Sequence, residues 1–176
     1  MSSTRYVEMS EKLYDEIANR VRASYPKSCI VWIEENLNPT LREAYERRKD
    51  AIAAECNGDP KEAQMFHGTR EENINTISSG GFDPSMNKVA VYGLGTYFAR
   101  DAAYSFNYMW PGKEQISYMF LCDVVLGKST IGASSKLCPT GYHSQVNTLP
   151  DPTIVSVPFP DSAYPKYIIA FHKSAK

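Results

Sequence analysis

The stretch VYGLGTYFARDAAYSFNY, residues 91–108, sets Gly93 and Gly95 directly before Tyr97, Phe98 and Ala99. An acidic residue and an aromatic-rich helical pattern follow. Glycine permits backbone conformations and close approaches that a side chain blocks. Tyr97, Tyr104 and Tyr108, with Ser105 among them, supply flat apolar faces that carry hydroxyls. That combination suits a planar heteroaromatic ligand with one polar handle. It also describes a strand–turn–helix joint with buried tyrosines, so the rest of the chain has to decide.

At 176 residues the chain is long enough to bury a sizeable core as one domain. A composition of 43% hydrophobic and 22% charged residues is that of an ordinary globular protein. A formal net charge of -1 provides no basic field for nucleic acid and no acidic field for basic partners. Composition thus neither supports nor excludes a nucleic-acid partner. Cys29, Cys56, Cys122 and Cys138 lie far apart, as do His67, His143 and His172. No zinc or other metal site is expected, and free thiols in a reducing compartment are. The polar first ten residues have no signal-peptide pattern, and no apolar run reaches membrane-spanning length. The expected location is the cytosol or nucleus, with no membrane partner.

Working outward from that stretch, Ser10 is placed to cap a helix whose apolar positions are Leu13, Ile17 and Val21. That helix should end before Tyr25-Pro26. Residues 29–33 read as a buried strand. Asn38-Pro39 opens a second helix with proline at its first position, unless Thr40 and Glu43 form a capping box instead. After the turn at 57–60 the character changes to short strands. They are expected at 63–67, 116–125 (with Thr130-Ile131 continuing beyond a break at Gly127), 153–157 and 167–171, with a short helix around 71–79 and loops at 82–90 and 133–150. The outline is α+β, with two N-terminal helices packed on a β-rich body.

His67-Gly68-Thr69 stands where a predicted strand ends, a frequent place for binding residues. An imidazole there bonds a hydroxyl, and Gly68 lets a ligand reach the backbone. No acid or nucleophile lies at the spacing a hydrolase triad needs.

Taken together, the order is His-Gly-Thr, then Gly-Gly-Phe-Asp, then Tyr-Gly-x-Gly-Thr-Tyr-Phe-Ala-Arg-Asp-Ala-x-Tyr-Ser with a tyrosine three residues on. Tyr142-His143-Ser144-Gln145-Val146-Asn147 and Ala163-Tyr164-Pro165-Lys166-Tyr167 continue the pattern. This resembles the catalytic domain of the poly(ADP-ribose) polymerase-like, diphtheria-toxin-type ADP-ribosyltransferases. The resemblance implies an ADP-ribosyltransferase fold, in which two small antiparallel sheets form a cleft for NAD and N-terminal helices pack on them. It implies one catalytic domain over residues 1–176, with 1–60 as an N-terminal part, 61–176 as the NAD-binding core and no regulatory helical domain.

By motif position, the resemblance gives His67 a bond to an adenosine-ribose hydroxyl. Gly68 becomes the backbone clamp on the nicotinamide carboxamide, and Ser105 a second partner of that group. Tyr97 and Tyr108 become the aromatic faces around the ring. Residues 82–90 fall where the family has its donor-site loop. Polymer-forming members have a glutamate at the third position of their triad, whereas counting back from Ala163-Tyr164-Pro165 places Ile154 there. Isoleucine can neither take a proton nor bond a hydroxyl. A His67-Tyr97-Ile154 set implies the mono-ADP-ribosyltransferase branch, with NAD as co-substrate and protein side chains as acceptors, the chain itself included. The alternative is a catalytically inactive module that binds NAD or ADP-ribose. Lys166 stands where many relatives have an acid.

Overall fold

The β-branched and aromatic run at 116–125 becomes an interior strand of the sheet, buried along nearly its whole length. The computed structural model describes residues 3–87 and 90–172. In chain order the elements are β1 (Thr4–Tyr6), α1 (Lys12–Ser24), β2 (Cys29–Asn36), α2 (Pro39–Glu55), β3 (Glu62–Thr69) and α3 (Ile74–Gly80). They continue with β4 (Thr96–Ala99), α4 (Ala102–Ser105), β5 (Ile116–Val125), β6 (Ser129–Ile131), β7 (Ser144–Val146), β8 (Ile154–Val157) and β9 (Ala163–His172).

The α+β class holds, but the expected pair of separate sheets does not appear. Hydrogen bonding runs through a single nine-stranded sheet in the order β1-β2-β9-β5-β3-β4-β8-β7-β6. The pairing is antiparallel except between β6 and β7. β3 pairs with β5 from Glu62 to Thr69 but meets β4 only at Phe66–Ala99. That one register pair joins two blocks of strands that are otherwise distinct, which is why a two-sheet expectation comes close without being met.

Each face of the sheet has its own core. On one, α1 presents Tyr14, Ile17, Ala18 and Val21, spaced as one stripe of a helix. They pack with Phe66, Met119, Leu121, Ile169 and Phe171, each large side chain contributing about 1.5–3 kcal/mol on burial. On the other face lie Phe82, Phe98, Phe120 and Val155. α2 seals the far end, with Tyr45 and Ile52 against Val125 and Tyr164.

The two helix starts differ from expectation in one case and select between alternatives in the other. Residue Glu11, not Ser10, precedes α1. Its carboxylate accepts the Glu8 N–H and pairs with Arg5 at 3.0 Å, a partner supplied by β1. For α2 the cap is Asn38, whose side chain accepts the Leu41 N–H at 3.1 Å with Pro39 in the first turn. The Asn38 amide also donates to the carbonyls of Ser78 and Ser79, both at 3.1 Å, tying α2 to the end of α3. An Asn38→Ala chain is therefore expected to lose about 1–3 kcal/mol of stability. An unchanged urea midpoint would remove this cap from the account.

β1 and β7 fall where no strand is expected. β1 is exposed, and β7 reads Ser-Gln-Val inside the expected loop 133–150, so neither has a repeating apolar pattern. The loop after α3 includes a 3-10 turn at Pro84–Met86, and positions 88 and 89 lie outside the described residues. Among the described residues no helix is long and apolar enough to cross a membrane.

Candidate functional site

Past the Phe66–Ala99 pair, β3 and β4 part company. The Tyr97 carbonyl on β4 accepts from His67 Nδ1 at 2.8 Å, so an imidazole stands in for the next bond of the ladder. A carbonyl only accepts, which puts the ring proton on Nδ1 and leaves Nε2 as an acceptor in the neutral ring. Burial pushes the His67 pKa below the ordinary 6.5, more than the Tyr97 carbonyl raises it. The ring is wedged edge-on against Phe82 with centroids 5.0 Å apart, and lies 5.5 Å from Phe98. The sequence placed Phe82 only in Gly-Gly-Phe-Asp and at the start of the 82–90 loop, and did not give it this contact with His67.

Alternation along a strand turns the backbone of Phe66 and Gly68 toward the same edge. At Phe66 that edge has a partner in β4, whereas Gly68 has a register partner only on the β5 side, Met119. The β4-facing edge is therefore open at Gly68. The space is closed from above by α4, because a Cβ on Gly68 would stand 2.1 Å from the Ser105 carbonyl oxygen. Gly68 and Ser105 are thus in direct backbone contact. The Ser105 side chain is 2% exposed, and its hydroxyl makes no hydrogen bond to another described residue.

The Tyr97 phenol accepts the Tyr92 N–H and donates to the Gly93 carbonyl, both at 2.7 Å. With proton and lone pair so engaged, and its pKa raised chiefly by burial, Tyr97 offers a fixed ring rather than a proton. Gly93 holds that turn at φ +99°, with the buried Gln145 amide lying where a Cβ would stand. Gln145 is opposite Ser156, and Ser156 opposite Tyr97, so this row of three strands backs the turn. Tyr108 lies near enough to raise the Tyr97 pKa. It is exposed, its hydroxyl 3.0 Å from that of Tyr104, with ring centroids 5.4 Å apart.

Ile154 opens β8 directly opposite Ala99, the residue that joins β4 to β3, and on the same face as Tyr97. It is buried, and Asn147 Oδ1 accepts its N–H at 3.0 Å and that of Thr153 at 3.1 Å. The structure therefore brings His67 onto Tyr97 and Gly68 onto Ser105, with Tyr108 nearby. Ile154 shares the strand pair with Tyr97, and its side chain has no titratable group. Among the described residues no group of three or more His, Cys, Asp or Glu side chains could hold a metal ion.

The site is thus a splayed strand junction bearing His-Gly, a glycine turn that locks a tyrosine, and a capping Ser-x-x-Tyr. The family model of the poly(ADP-ribose) polymerase catalytic domain matches residues 9–148, and the chain belongs to that family. It is 32% identical to the protein mono-ADP-ribosyltransferase PARP12 of Homo sapiens over 95% of this chain and 25% of that protein. It is 31% identical to the protein mono-ADP-ribosyltransferase PARP11 of Homo sapiens over 90% of this chain and 56% of that protein. For the protein mono-ADP-ribosyltransferase PARP14 of Homo sapiens the identity is 29%, over 93% of this chain and 10% of that protein. The chain thus spans a quarter of the length of the first relative and just over half of the second. The family match ends before Ile154, whose position in the site rests on the pairing of β8 with β4.

Proposed function

We propose that this chain is a mono-ADP-ribosyltransferase, which cleaves NAD between nicotinamide and ribose and transfers one ADP-ribose to a protein side chain. The observation that carries this reading is the backbone contact that sets Ser105, whose hydroxyl has no hydrogen-bond partner among the described residues, against the open backbone edge of Gly68. A carboxamide has an oxygen and an N–H group to satisfy such a pair. Tyr97, held by its own turn, provides an aromatic face beside it at little entropic cost, and Tyr108 a second. His67 Nε2 accepts from a ribose hydroxyl.

Fixing the ring and the carboxamide while the ribose is free to flatten favours the oxocarbenium-like transition state. The bond from ribose C1 to the pyridinium nitrogen breaks, and its electron pair neutralises that nitrogen, so neutral nicotinamide leaves. An acceptor carboxylate then bonds to C1. It already has the negative charge that a triad glutamate would provide, and no proton has to be removed from it. Ile154 is compatible with that chemistry and offers nothing to activate a ribose hydroxyl for chain growth. An intracellular, reducing setting, cytosol or nucleus, fits the free cysteines.

The test is incubation with labelled NAD. Label is expected on the chain or on lysate proteins as single units that neutral hydroxylamine, which cleaves carboxylate esters, removes. High-mass ladders would refute the single-transfer reading, and resistance to hydroxylamine the carboxylate acceptor. Calorimetric NAD binding without any transfer would return the chain to a non-catalytic binding role. An Ile154→Glu chain is expected to form no polymer, because elongation also requires a site that holds ADP-ribose as acceptor.

A further inference from the structure

Between β5 and β9 the register slips, with Tyr167 opposite Leu121 but Pro165 opposite Cys122, so Lys166 is the extra residue of a bulge. A bulge re-aims its side chain, and the Lys166 ammonium reaches over the sheet to within 3.4 Å of Asp123. That carboxylate is also bonded by Arg42 at 3.0 Å and by the Gln64 amide at 3.1 Å. Lys166 therefore shares its counter-ion with a better-placed guanidinium. Across from it, Arg20 of α1 donates to the Gln64 carbonyl and lies 5.7 Å from the centre of the Phe66 ring. It makes no ion pair among the described residues, and burial lowers its pKa with no carboxylate to offset the effect.

Between these two cations, where α1 leaves the sheet, is a cavity of about 400 Å³. Leu13, Ile17, Leu121 and Tyr167 form the apolar part of its lining, and Gln64 joins Arg20 and Lys166 in the polar part. Glu16 also borders it but is paired with Lys12 at 3.5 Å. Two cations that lack a full counter-ion, set beside apolar side chains, are complementary to an amphipathic anion.

We propose that this cavity binds a small organic anion, its carboxylate or phosphate head between Arg20 and Lys166 and its apolar body against Leu13, Ile17 and Tyr167. The site lies on the α1 face of the sheet and involves none of the residues assigned to NAD. Its ligand can be sought whether or not the chain transfers ADP-ribose.

The experiment is isothermal titration of the whole chain with sodium octanoate and with phenyl phosphate, using octanol and phenol as uncharged counterparts. At least one anion is expected to bind more tightly than its counterpart, and the tighter of the two assigns the head group. Arg20→Gln and Lys166→Gln should each weaken it roughly tenfold, as expected for loss of a charge-assisted hydrogen bond. Circular dichroism checks that each variant is folded. Should Lys166→Gln disturb Asp123 and unfold, Arg20→Gln decides alone, since Arg20 has no ion-pair partner to strand. No binding of either anion at millimolar concentration, equal binding of the uncharged counterparts, or undiminished affinity in the folded variants would overturn the proposal.

Discussion

A Gly68→Ala chain is expected to transfer label from NAD about 100-fold more slowly than the parent, the scale of loss that a misplacement near 1 Å produces in an oriented site. The added Cβ would stand 2.1 Å from the Ser105 carbonyl oxygen and 3.3 Å from the Met109 side chain. Met109 can rotate, whereas the carbonyl belongs to the backbone and moves only with α4. Ser105 then shifts with its own carbonyl, and both halves of the proposed carboxamide clamp are displaced together. Overpacking of this kind costs about 1–3 kcal/mol of stability, so the protein should fold with a lowered urea midpoint. Gly80→Ala is the control, because nothing lies within 4 Å of its Cβ. If Gly68→Ala keeps full activity and NAD affinity, the clamp is wrongly placed.

For His67→Ala the expected loss is about 10- to 100-fold in kcat/KM, corresponding to about 1–3 kcal/mol. The substitution removes the Nε2 acceptor, leaves the Tyr97 carbonyl without the bond at 2.8 Å, and opens space against Phe82 and Phe98. Its signature is in the pH dependence. Because the folded-state pKa lies below 6.5, the neutral ring and its acceptor lone pair persist through neutral pH. On acidification the unfolded chain takes up this proton first. The His67 contribution to stability is therefore complete above 6.5 and lost as pH falls through the lowered folded value. Urea midpoints of parent and His67→Ala chains at about pH 7.5 and about pH 5.5 separate this effect from other titrations. The gap between the two proteins should narrow on the acid side. A gap independent of pH would mean that the ring is not held neutral.

Much of the candidate site was legible because its residues are neighbours in the chain. His67 with Gly68, and Tyr97, Ser105 and Tyr108 along one turn and helix, come as two short motifs. What those residues touch was not legible. Gln145 against Gly93, and Phe82 against His67, are contacts across strands and loops, and nothing near either residue in the chain signals them. Nor did Tyr97 announce that its hydroxyl is consumed by the Tyr92–Gly93 turn, which fixes the ring in place.

The fold divides along the same line. The strand at Ile116–Val125, the helix opening at Asn38-Pro39 and the stripe of α1 follow from periodicity and capping, which act over a few residues. The joining of two strand blocks at Phe66–Ala99, the short strand β7 and the bulge that aims Lys166 depend on register between segments far apart in sequence. Register is settled only when side chains on both faces find their cores, since a slip of one residue turns every side chain to the other face. Residues 91–108 thus carried the candidate site's motif in the order of their letters, while the opening beside it comes from β3 and β4 parting after a single pair.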